Sequence, residues 1–79
     1  MKAYEVLEKY GWIQGAFGDE ETGFCLMGAM WEAYSSIKAR RVHCKRLRKA
    51  IGSEDLTGWN DKIGQEKQAV VKVLRKLAI

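Results

Sequence analysis

The chain has 79 residues, 47% of them hydrophobic and 30% charged, with no proline, two cysteines and a formal net charge of +4. That length builds one hydrophobic core, so residues 1–79 are read as a single domain, and a domain this small folds with little margin. The absence of a leader pattern, of an apolar run of membrane length and of a disulfide framework leaves a soluble protein, with no membrane partner, as the expectation and the cytoplasm as its expected compartment.

Charge is segregated. Residues 1–37 hold two basic and six acidic side chains, residues 38–49 hold seven basic and none acidic, and residues 50–79 are close to balanced. One short segment supplies the positive excess.

The opening "MKAYEVLEKYG" spaces Ala3, Val6, Leu7 and Tyr10 along one helical face. A helix is predicted over 2–10, ended by Gly11 as a left-handed cap. In "WIQGAFGDEETGFCLMGAM", two apolar stretches, 12–17 and 24–26, flank the acidic turn 18–23. They read either as a short hairpin or as an ordered loop packed on the core.

Residues 25–35 form the next predicted helix. Gly28, Ala29 and Ala33 make a smooth strip on it, and Met27, Met30, Trp31 and Tyr34 make a bulky one. A helix apolar on two sides is central, so this one is expected to be buried. Trp12, Phe17, Phe24, Trp31 and Trp59 are all expected in the core.

Ser35 or Ser36 caps a third helix, in which Cys44, Leu47, Ala50 and Ile51 share a face and Gly52 marks the end. "SEDLTGWNDKIG" reads as a loop anchored by Leu56 and Trp59. The last helix carries the stripe Val70, Val73, Leu74 and Leu77, with Lys72, Arg75 and Lys76 pointing away. The fold class is therefore mainly α: a bundle of about four helices, with a glycine-rich loop or short hairpin between the first and second.

The order of "GWIQGAF", "GFCLMGA" and "GWNDKIG" resembles a family of small bacterial and phage proteins, a domain of unknown function with the pattern GW-x-QGA-F, C-x-x-GA, WND-x-x-G. The resemblance spans roughly residues 4–78 and implies a shared fold and shared core positions, with no activity, cofactor or catalytic residue attached. This chain departs from it where the family carries a proline, a threonine and a glutamate, having Ile63, Glu66 and Ala69 instead. That removes the capping box of the last helix, which Gly64 or Gln65 must then begin less securely.

Trp12, Gln14, Trp59, Asn60 and Asp61 read as structural staples. An Asn-Asp pair after a tryptophan satisfies neighbouring backbone donors, and the Gln14 amide suits the backbone of the WND loop or of the helix start at Gly28. Asp61 has no acidic or histidine partner at ligand spacing. Cys25 sits in an apolar run and His43 among cations, which is no setting for a nucleophile and base. Two cysteines and one histidine without CxxC or HxxxH spacing hold no zinc. No catalytic residue, metal, cofactor or small-molecule substrate is assigned.

The basic helix is the feature that folding does not explain. Lys38, Arg40, Arg41, Lys45, Arg46, Arg48 and Lys49 repel one another, and the choice lies between a solvated face partly neutralised by Glu54, Asp55 or the 19–21 turn and a docking surface. The reading adopted is a non-catalytic module that docks on an acidic protein partner through this helix, with Tyr4, Trp31 or Tyr34 adding apolar anchors; a phage or bacterial modulator of a host complex is the analogy. The alternative is weak or nonspecific nucleic-acid binding, although no helix-turn-helix, zinc-finger or RRM pattern is present.

Overall fold

The computed structural model describes residues 1–79. In chain order it has α1 (Ala3–Tyr10), β1 (Gly18–Asp19), β2 (Gly23–Phe24), α2 (Leu26–Ala33), α3 (Ile37–Ile51), α4 (Leu56–Asp61) and α5 (Lys67–Lys76).

The α1 helix buries Ala3, Val6 and Leu7, and the Glu5 carboxylate accepts the Lys2 N–H at 2.8 Å. Gly11 closes the helix at φ 99°, ψ 169°, a region essentially reserved for glycine, rather than in the left-handed helical basin expected. This swings the chain alongside Phe24: Phe24 N–H donates to Gly11 O at 3.0 Å and Ile13 N–H to Phe24 O at 3.1 Å. The alternative left open for residues 12–26 resolves as a hairpin, smaller than the flanking apolar runs suggest. Its two strands pair antiparallel through Gly18↔Phe24 and Asp19↔Gly23. Asp19 closes the turn by accepting the N–H groups of Glu21 and Thr22 and the Thr22 hydroxyl, which holds its carboxyl below the usual range.

Cys25 is the N-cap of α2, its Sγ accepting Gly28 N–H at 3.2 Å. A Cβ at residue 28 would collide with the Phe17 carbonyl, so glycine lets the hairpin lie directly on the first turn of α2. Leu26, Ala29 and Met30 are fully buried and α2 packs chiefly on α1. The expectation of a wholly buried helix is corrected: Trp31 is 51% exposed, and Phe17, its edge-on aromatic neighbour, is 52% exposed. Phe24 does lie in the core, while Trp12 and Trp59 pack against it partly buried.

Ser36 caps α3 by accepting Ala39 N–H, and Gly52 ends it in the left-handed conformation. Cys44 and Leu47 face inward as the spacing predicts, but Ala50 is exposed and Arg40 takes the remaining buried position. The segment expected as a loop contains α4. It raises the helix count to five against the four expected: Asp55 caps it by accepting Gly58 N–H at 2.9 Å, and Leu56 and Asn60, four apart, are its buried face. The last helix begins later than expected, at Lys67, with Glu66 as an N-cap making no side-chain bond. Val71, rather than Val73, completes its buried face with Val70 and Leu74.

The residues after α5 turn into the core. Ala78 adopts φ 58°, and Ile79 is fully buried. Its main-chain oxygen accepts Ala3 N–H at 2.6 Å and the Tyr34 hydroxyl at 2.7 Å, while Lys2 Nζ reaches Ala78 O at 3.1 Å. Chain start, chain end and the close of α2 are thereby tied together. No helix is long and apolar enough to cross a membrane.

Candidate functional site

The tryptophan-rich first loop and α4 meet at Asn60, which is fully buried. Asn60 Oδ1 accepts the Trp12 indole N–H at 2.6 Å and Leu26 N–H at 3.0 Å; Asn60 Nδ2 donates to Ile13 O at 3.2 Å and to Asp61 Oδ1 at 2.8 Å. That uses both lone pairs and both hydrogens of the amide. Asp61 Oδ1 also accepts Gly15 N–H, and these two bonds, the Gly15 one foremost, hold the Asp61 carboxyl below its ordinary range. Gln14 is exposed, yet its Nε2 donates to the carbonyls of Asn60 and Lys62, each at 3.0 Å. Trp59 contributes its carbonyl, which accepts Gln65 Nε2 at 2.8 Å. The polar chemistry of this region is spent on joining the first loop, the start of α2 and α4.

Cys25 and His43 do not form a dyad. Cys25 stands at the start of α2, and His43 stacks on Tyr34 at the other end, 4.5 Å between ring centroids. The eight-residue helix between them is about 12 Å long. Burial, followed by the charges of Arg46 and Lys2, holds His43 below its ordinary pKa. Burial raises the Cys44 thiol, which makes it a poor nucleophile. No three His, Cys, Asp or Glu side chains gather at metal-binding distance.

The seven cations of α3 divide into two groups. Arg40 is only 9% exposed: its guanidinium lies 3.6 Å from the Trp31 ring centroid and donates to Tyr34 O at 2.7 Å. Arg46 donates to Leu77 O at 2.6 Å, and Arg48 to Glu54 O at 3.1 Å. These three arginines therefore each donate to a carbonyl, at the ends of α2 and α5 and in the segment before α4, which sets them apart from the other four in what they contact within the chain. Lys38, Arg41, Lys45 and Lys49 make no hydrogen bond or ion pair within the chain, and they follow one another at three- or four-residue spacing along the exposed side of α3. None of the expected neutralisers forms an ion pair with them, the molecule's one ion pair joining Arg75 of α5 to Glu8 of α1, although Glu54 shares a surface hollow with Lys45 and Lys49.

Beside this row, α2 and α3 leave a groove of about 320 Å³. Met27, Trp31, Ile37 and Cys44 give it an apolar lining, and Arg40, Arg41 and Arg48 supply its charge. Sequence reasoning missed this groove. The signal for it is the second apolar strip of α2, which the packed helices leave uncovered at Trp31.

The profile of the Family of unknown function (DUF6197) matches residues 1–79, and the chain belongs to that family. No curated protein and no solved structure matches the chain.

Proposed function

We propose that this member of a family of unknown function is a non-catalytic binding module that docks on an acidic surface of a protein partner through α3. The observation that carries the reading is the row Lys38, Arg41, Lys45 and Lys49, four like charges that form no ion pair within the chain. Its three successive like-charge pairs cost about 0.2–0.5 kcal/mol each, a repulsion of about 1 kcal/mol that an anionic partner relieves. The partner's field also speeds and orients the encounter. The reading extends to a bacterial or phage modulator of a host complex, supported by the GW-x-QGA-F and WND-x-x-G pattern, and to the cytoplasm, supported by two free thiols.

A protein partner is favoured over a nucleic acid because the free cations make a single short row. An acidic turn, Asp19 to Glu21, starts two residues after the exposed Phe17, so a duplex would meet negative charge beyond the helix. The test is capture from a lysate of the source cell at rising salt, with and without nuclease. A protein retained after nuclease and released by salt is expected; a catch that disappears with nuclease contradicts the reading.

A further inference from the structure

We infer that the groove between α2 and α3 binds an acidic segment of the partner that inserts one apolar side chain between Trp31 and Ile37 while its carboxylates engage Arg41 and Arg48. This rests on the docking role proposed above and names its recognition element. Trp31 and Ile37 are 51% and 61% exposed, although a chain of this size needs its large apolar residues inside. Arg40, stacked on the Trp31 ring and bonded to Tyr34 O, locks the indole as a rigid wall, and Phe17 fixes it from the edge at 6.1 Å between centroids. A preorganised tryptophan loses little entropy on binding. Met27, an adaptable side chain, and the uncharged Cys44 thiol complete the apolar lining.

Charge selects the occupant. Arg41 and Arg48 lie in the groove itself, Lys38, Lys45 and Lys49 continue the field along α3, and no acidic residue lines the groove. Tryptophan and arginine side by side is the composition of binding hot spots. A purely apolar segment would leave Arg41 without a partner, and a polyanion without an apolar anchor would leave Trp31 and Ile37 wet.

The test uses the full chain, immobilised, to select from a bead-displayed library of random dodecapeptides, followed by titration of an enriched peptide into ¹⁵N-labelled protein. Enriched peptides should share an aromatic or branched aliphatic residue flanked by Asp or Glu, and should shift the Trp31 indole N–H resonance. Ile37→Glu keeps the fold, because Ile37 is exposed and an acid suits the first turn of a helix, and it should weaken the peptide at least about tenfold. Trp31→Ala should do the same, with its melting temperature recorded alongside. Acidic peptides that lack an apolar anchor and bind Ile37→Glu undiminished would overturn the groove while leaving the docking role of α3 intact. Failure to enrich acidic peptides would overturn both. Oligothymidylate shifting Trp31 at lower concentration than any peptide would assign the groove to single-stranded nucleic acid and overturn the inference.

Discussion

Asn60→Ala is the substitution that most directly probes how this fold is held. The alanine removes four hydrogen bonds, and their partners differ in what happens next. Leu26 N–H, in the buried first turn of α2, has no other acceptor and no access to water, which costs about 2 kcal/mol on the range for an unsatisfied buried donor. The Trp12 indole N–H and the Ile13 carbonyl lie in partly buried residues that water can reach, so each loses only the net worth of its bond, about 1 kcal/mol. The bond to the exposed side of Asp61 adds little. The sum, about 4 kcal/mol, is most of the stability of a domain this small, and at 4–8 °C per kcal/mol it lowers the melting temperature by about 15–30 °C. Thermal unfolding followed by far-UV circular dichroism measures it. Asn60→Asp sharpens the assay: the new carboxylate faces Asp61 and the Ile13 carbonyl, its pKa is raised by both, and the variant regains stability as pH falls. Melting of Asn60→Ala within about 5 °C of the natural chain would refute the reasoning.

Restoring the capping box with Glu66→Thr and Ala69→Glu should stabilise the protein by about 1 kcal/mol in chemical denaturation, since Glu66 is an N-cap without a side-chain bond and residue 69 is the N3 position. Ile63→Pro should add about 0.4–1 kcal/mol, because Gln65 N–H bonds Lys62 O across a turn in which residue 63 is second and Gly64, at φ 85°, is third, where proline and glycine belong. Arg46→Met should cost about 1 kcal/mol and speed amide exchange after Arg75, because the bond to Leu77 O is lost. Between pH 7.5 and 5 stability should fall: His43 is held below its ordinary value near 6.5, so the unfolded chain takes up its proton first. His43→Gln should flatten that part of the profile, whereas Asp19 and Asp61, both lowered, act only below the ordinary carboxylate range.

The first helix and the Cys44/Leu47 face of α3 were legible because period and punctuation agree, with Ser36 and Gly52 bounding the latter. The α4 helix was hidden by its own composition, since Ser, Asp, Asn and Gly read as loop; the signal was Asp55 as a cap followed by Leu56 and Asn60 one turn apart. The partners of Asn60 lie as many as 48 residues away in the chain, a proximity that no periodicity encodes. The division of the cations was also invisible, because it depends on carbonyls of Tyr34, Glu54 and Leu77 brought in by other segments. One trace of it does exist in the residue types. Three of the four arginines became carbonyl donors, as their fork of N–H groups favours, and all three lysines stayed free. Burial is the common fate of tryptophan, and only the packing shows that α2, covered by α1, α4 and the hairpin, is left open at Trp31.

On the docking role proposed for α3, four of its cations serve binding and not folding. The most direct measurement compares the natural chain with the variant Lys38→Glu, Arg41→Glu, Lys45→Gln, Lys49→Gln for melting temperature and for capture of the nuclease-resistant partner. Melting within a few degrees together with loss of capture is the result predicted; a variant that unfolds, or one that captures the partner as well as the natural chain does, would contradict it.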